Sequence, residues 1–236
     1  MLASMTTTEE VGIYSVAFRF ASLVLFVSSA FGQAWSAVAI KIRIDYPDQY
    51  REIFGSVLLL FIFSLLTVGG GVALFAGELI TLIMPAEYLA SSLPLAILCF
   101  GVVIQSTQQV TAIGISLEKK TYLLAKLAMV TAAVNFVINC LLIPPFGAVG
   151  AASASLISYL VLTSSYFYYT QRLHPMKIDW KRLSALIGLG VVVAVVSLTC
   201  VATKFNSSSV LMKLGLATSC LLLGWQLLPR KTFSLV

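Results

Sequence analysis

Charge is the first scarcity in this sequence. Aspartate, glutamate, lysine and arginine make up only 10% of its 236 residues, against about 25% in a soluble domain, so a water-facing surface wrapped around a soluble core is excluded. Histidine is nearly absent, with His174 alone in a basic loop, where it reads as a solvated residue. Four cysteines, Cys99, Cys140, Cys200 and Cys220, lie inside apolar runs with no CxxC spacing and no histidine partner. That pattern offers no metal site, and the cysteines read as small buried hydrophobes. No acidic pair or nucleophile constellation surrounds His174, so neither an enzyme nor a metal or cofactor is expected. A signal peptide is also missing: no basic residue precedes an apolar stretch, and residues 1–5 run into the acidic, polar residues 6–10, which read as a cut end. The net charge of +6 does not imply nucleic acid, because the cations sit in short loops between apolar runs rather than on a soluble face.

What is abundant is apolar length. Hydrophobic residues make up 59% of the chain and the mean hydropathy is +0.99. Crossing the hydrocarbon takes about 20 apolar residues in a helix, and seven such runs occur, at 11–40, 55–84, 90–117, 122–143, 148–171, 183–203 and 208–228. They are too long for barrel strands of about ten alternating residues. The expected fold is therefore all-α, a polytopic bundle of about seven transmembrane helices embedded in a lipid bilayer, with 11–236 as one membrane domain. Alternating the loops segregates the basic residues. Lys41, Arg43, Arg51, Lys119, Lys120, Arg172, Lys177, Lys181, Arg182, Arg230 and Lys231 fall on one side, against Lys204 on the other. By the positive-inside rule the first side is cytoplasmic, as is the C-terminus, while residues 1–10 and the turns at 85–89, 144–147 and 204–207 face outward.

Within the first run, Ser15, Arg19, Ser22, Phe26, Ser29, Gln33 and Ser36 recur at 4-3-4-3-4-3 spacing, which places them on one helix face. A polar face in lipid is costly, so this one should line a helix interface or a water-filled cavity. Arg19 lies about 12 Å into the helix at 1.5 Å per residue. Two readings stand for it: snorkelling or an internal ion pair, or an anion site, because a guanidinium fork suits phosphate. In the third run Gln105, Gln108 and Gln109 share one side, placed for sugar hydroxyls or for neighbouring helices. Asn135 and Asn139, one turn apart, read as helix packing, with a cavity role as the alternative. Gly69, Gly70 and Gly71 mark a bend or a close helix contact, with a hinge as the functional reading. Residues 150–155 are all glycine, alanine or serine and form a tight-packing surface. Glu78, Lys126 and Lys213 stand near span ends and read as interfacial. Tyr166, Tyr168, Tyr169, Trp180 and Trp225 read as aromatic belts.

Three stretches resemble the polysaccharide transporter family, the O-antigen and lipid-linked oligosaccharide flippases of the multidrug/oligosaccharidyl-lipid/polysaccharide exporter superfamily. They are MLASMTTTEEVGIYSVAFR at 1–19, FAGELITLIMPAEYLASSLPLAIL at 75–98 and NFVINCLLIPPFGAVGAASAS at 135–155. The resemblance covers nearly the whole chain in order. It implies the second of two helical lobes of a 14-helix flippase, with residues 1–10 as the end of a preceding helix and an outer turn, and a missing N-terminal lobe as partner. It also implies a plasma (inner) membrane protein that translocates lipid-pyrophosphate-linked oligosaccharide for cell-surface polysaccharide or lipopolysaccharide synthesis. In related lipid II flippases the basic residue matching Arg19 lines the cavity and engages the lipid pyrophosphate. Rival readings remain open: a drug or cation antiporter lobe, which needs intramembrane acids, or a nonfunctional fragment or packing subunit. A membrane glycosyltransferase or polymerase would need a large loop or a catalytic acid cluster, and neither is in the sequence.

Overall fold

The computed structural model describes residues 2–200 and 207–227. Among the described residues there are helices and turns but no strand. A single turn, α1 (Leu2–Met5), precedes the long helix α2 (Thr8–Asp45), which starts inside the stretch expected as an outer turn. The cause is local. The Thr7 hydroxyl accepts from the Glu10 amide (3.4 Å), and Glu9 and Glu10 lie at the positive end of the helix dipole. At its other end α2 outruns residue 40, because nothing stops it before Pro47 disfavours helical backbone at Tyr46. Its 38 residues reach about 57 Å at 1.5 Å each, well beyond the hydrocarbon thickness.

The run expected as one span at 55–84 is two helices, α3 (Tyr50–Leu74) and α4 (Ala76–Ile83), separated at Phe75 (φ −98°, ψ 16°). Gly69, Gly70 and Gly71 lie inside α3, which runs through them. Gly69 abuts the Val103 side chain, and a β-carbon on Gly70 would stand 3.1 Å from Val193. The first two glycines are thus close-contact points, and the break in the rod falls after them. A 3-10 turn (Ala86–Ser91) leads into α5 (Ser92–Ser106), α6 (Gln108–Thr111) and α7 (Ile113–Leu117). These form one rod tightened at two joints, Thr107 (ψ −17°) and Ala112 (ψ −18°).

The fourth and fifth runs form α8 (Thr121–Leu173), which doubles back at Gly147, whose φ of 52° and ψ of −128° are non-helical. Pro144 and Pro145 precede that fold point. The two limbs are antiparallel: Asn135 Nδ2 donates to Ser158 Oγ at 2.9 Å and the Tyr166 hydroxyl donates to the Leu124 carbonyl at 3.0 Å. Gly150 packs on the Leu142 backbone, where a side chain has no room, and Ala148, Ala151, Ala152 and Ala154 are buried beside it. The last helices are α9 (Trp180–Cys200) and α10 (Ser207–Leu227). Residues 201–203 and 228, expected as span ends, and Lys204, Arg230 and Lys231 lie outside the described residues. Five segments are long and apolar enough to cross a bilayer, one of them the α8 hairpin, and α10 adds the shorter apolar helix Val210–Gln226. Counting both limbs of α8, the described residues form six membrane-length rods and the shorter α10, an all-α membrane helix bundle as expected.

At the centre stands α5, with Leu95, Ala96, Leu98, Cys99, Val102 and Val103 all buried. It packs against α2, α3 and the second limb of α8. α2 meets it through a stripe of mostly small residues, Ala17, Ala21, Val24, Ser28 and Gly32. In lipid, where apolar burial between helices supplies little drive, such close backbone approach is the main source of association. The connecting segments gather at two ends. At one, Arg43 pairs with Glu118 (3.5 Å) and Lys177 with Glu52 (2.8 Å). At the other, the Glu10 carboxylate accepts from the Ala148 amide (2.6 Å), at the start of the second α8 limb.

Candidate functional site

Between α2, the α5–α6 joint and the second limb of α8 lies an open groove of about 720 Å³. Its walls include Ser22, Ser28 and Ser29 from α2, Gln105 and Ser106 from α5, Gln108 and Gln109 from α6, and Tyr166 from α8. Five residues singled out in the sequence are thereby brought together: Ser22, Ser29, Gln105, Gln108 and Gln109. Ser15, Arg19 and Gln33 continue the same face of α2 beyond the groove walls, and all three are exposed. Asn135 and Asn139 stand apart from it, joined to each other and to Ser158 within the α8 hairpin (2.9 Å each).

The shape of the groove follows from side chains competing for backbone. Thr107 and Thr163 hydroxyls both donate to the Ile104 carbonyl (2.7 and 3.2 Å). That carbonyl also receives the Thr107 amide in a tightened i to i+3 bond (3.2 Å). Polar side chains that take a helix carbonyl in this way loosen the regular ladder; beyond this joint Gln109 faces α2 and Gln108 faces the second limb of α8. Gln109 lies over Gly32, whose lack of a side chain leaves room for it. Gln108 Nε2 donates to Thr163 Oγ1 at 2.9 Å.

The stripe serines differ from their neighbours in one respect. Ser15, Ser22, Ser29 and Ser36 each donate to a carbonyl of their own helix, at 2.7, 2.6, 2.9 and 3.0 Å. Ser28 Oγ, Ser106 Oγ and Gln105 Oε1 are buried and have no partner among the described residues. The groove contains no charged side chain. Arg19 stands about one turn from Ser22, whose hydroxyl donates to its carbonyl, and it makes no ion pair among the described residues. What the arrangement offers is an uncharged surface rich in hydrogen-bonding groups, with a guanidinium beyond one end.

Sequence reasoning missed Ser28, and it did not assign Ser106, one of the polar residues of the third run, or Tyr166 to the site. Ser28 belongs to the small-residue stripe through Ala17, Ala21, Val24 and Gly32, a 4-3-4-4 pattern that was available. Tyr166 is no belt residue: it is 8% exposed and bonded to the Leu124 carbonyl. Two further expectations are corrected. Glu78 and Lys213 do not reach headgroups separately but form one buried pair, Nζ to Oε1 at 2.6 Å, linking α4 to α10. His174 is not solvated: it is 2% exposed and set against the rings of Tyr50 and Phe54. Its Nδ1 lies 3.3 Å from Glu118. Burial holds the imidazole below its usual pKa, outweighing the Glu118 hydrogen bond that pulls the other way.

No family model and no solved structure matches the chain. Among curated proteins it is similar to a probable low-salt glycan biosynthesis flippase, Agl15 of Haloferax volcanii, at 24% identity over 191 residues. The match takes in 78% of this chain and 40% of that protein, so the chain spans well under half the length of the relative. The likeness supports, at most, a flippase-like relationship.

Proposed function

We infer that the chain is the C-terminal lobe of a membrane flippase that translocates lipid-pyrophosphate-linked oligosaccharide across the plasma membrane for cell-surface polysaccharide synthesis. The observation that carries this reading is the uncharged, amide- and hydroxyl-rich groove continued on the same face of α2 by an exposed Arg19 that makes no ion pair among the described residues. Sugar rings present hydroxyls that both donate and accept, matching the groove. The pyrophosphate beside them carries the negative charge that a guanidinium binds in bidentate fashion. The flippase similarity supports the same class independently of that geometry. A second lobe, supplied by the same polypeptide or by an adjacent chain, closes the cavity, and rocking between lobes alternates access to it. The basic end of the bundle, with Arg43, Arg51, Lys177 and Lys181, faces the cytoplasm.

The test uses the chain in lipid nanodiscs with farnesyl diphosphate as the probe and farnesol as its uncharged control. A charge-assisted hydrogen bond contributes about 1.5–3 kcal/mol. Arg19→Ala should therefore weaken farnesyl diphosphate binding by roughly ten- to a hundred-fold, Arg19→Lys should weaken it less, and farnesol should be unaffected by either change. Equal affinity of the wild type and both variants for the diphosphate would remove Arg19 from the site.

A further inference from the structure

Three polar atoms at the floor of the groove are without partners among the described residues: Ser28 Oγ from α2, and Gln105 Oε1 and Ser106 Oγ from α5. Ser28 is 1% exposed and Ser106 is 2% exposed. Buried polar atoms are nearly always bonded, and leaving one unmade incurs the full desolvation penalty of the group. Three from two helices, converging on one groove, call for a group that fills them. The nearby stripe serines show that the local helix offers an easy alternative, since Ser22 and Ser29 donate to the carbonyls of Arg19 and Phe26. Ser28 and Ser106 do not take it.

We propose that Ser28, Gln105 and Ser106 are specificity-determining residues that select an uncharged, hydroxyl-bearing sugar and discriminate against one carrying a carboxylate. This deepens the reading given under Proposed function and rests on it. The chemistry of the three atoms sets the preference. Gln105 Oε1 only accepts, so it requires a donor. Gln108 adds a second acceptor nearby, because its Nε2 is already held by Thr163. A sugar hydroxyl donates to the amide oxygens and accepts from the serines. A carboxylate only accepts, so it meets the Gln105 oxygen with like partial charge, and no lysine or arginine lines the groove to compensate it. Water satisfies the same atoms, but the groove has space for far more than a single water. Position adds a second constraint: Ser28 lies nine residues from Arg19 along α2, about 13 Å at 1.5 Å per residue. With the pyrophosphate on Arg19, the floor reads a ring beyond the first sugar.

The experiment compares two synthetic farnesyl-diphosphate disaccharides that differ only in the second sugar, glucose or glucuronate, binding to the chain in nanodiscs. The glucose probe should bind about ten-fold more tightly than the glucuronate probe. Ser28→Ala with Ser106→Ala, and separately Gln105→Leu, should weaken the glucose probe by about five- to ten-fold and leave farnesyl diphosphate binding unchanged, as expected when hydrogen bonds to a ligand are lost. The serine variant should also melt no lower than wild type without ligand, because it deletes unpartnered hydroxyls; a merely structural serine pair would lower the melting temperature. Equal binding of the two probes while farnesyl diphosphate still binds would overturn this proposal alone. A retained glucose preference with no response to the diphosphate would overturn the pyrophosphate reading alone. Loss of farnesyl diphosphate binding in the floor variants would also refute the assignment, by making the three residues general to the site.

Discussion

Glu78 and Lys213 are 135 positions apart, and each stands within a few residues of the end of an apolar run. Either one alone is compatible with a side chain stretching toward headgroups, and no local pattern marks them as partners. Their contact exists because α10 packs against the α3–α4 rod, a tertiary fact, and it leaves both side chains nearly inaccessible. A buried pair is poor evidence of net stabilisation, since its desolvation offsets its attraction, but breaking it leaves one charge uncompensated at a cost of about 3–5 kcal/mol. Lys213→Met should therefore sharply lower the melting temperature in detergent, and the Glu78→Gln, Lys213→Met double variant should recover most of the loss. A single variant as stable as wild type would show that the pair is not held as described. The same reasoning explains which groove residues were legible. Ser22, Ser29, Gln105, Gln108 and Gln109 advertise themselves by helical spacing within otherwise apolar runs. His174 looked solvated because the aromatic partners that enclose it, Tyr50 and Phe54, lie more than a hundred positions away.

At the scale of helices the sequence was more informative, because the length of an apolar run and the residues that interrupt it act locally. The α8 hairpin follows from Pro144, Pro145 and Gly147, the last in a backbone region that favours glycine. Helix ends were not legible, because apolar length alone placed those of α2 at 11 and 40, whereas the Thr7 cap and Pro47 set them at Thr8 and Asp45. Nor were the tightened joints at Thr107 and Ala112, since one of them depends on a threonine from another helix reaching the Ile104 carbonyl. The glycine triplet separates its two meanings by position. Gly69 lies against the stiff, β-branched Val103, whereas Gly71 has open space around it. Gly69→Ala should thus destabilise by about 1–3 kcal/mol through overpacking, while Gly71→Ala should be neutral or stabilising by up to about 1 kcal/mol through helix propensity. Thermal unfolding in detergent separates the two. A hinge that needs flexibility at Gly71 would instead reveal itself as lost transport with stability kept.

For the whole molecule, the two ends of the bundle differ in charge before any membrane is considered. One end gathers the 41–54, 118–120 and 172–182 segments, tied by Arg43 to Glu118 and Lys177 to Glu52. The other gathers residues 2–10 and the 144–147 turn, tied by Glu10 to the Ala148 amide. Because each rod reverses the direction of the one before it, a basic loop excess on alternate connections becomes an excess at one physical end. The positive-inside rule then orients the whole bundle. Two cysteine substitutions test this: Phe146→Cys at the α8 fold point, where the side chain is 59% exposed, and Lys181→Cys in the basic segment, also exposed. With the wild type as background for the four native cysteines, a membrane-impermeant maleimide should label Phe146→Cys on intact cells and Lys181→Cys only after lysis. The reverse pattern would invert the orientation and place the Arg19 end of the groove toward the cytoplasm. Labelling of both from one side would mean that the second limb of α8 does not cross the bilayer, and the groove it helps to wall would then not be a transmembrane site.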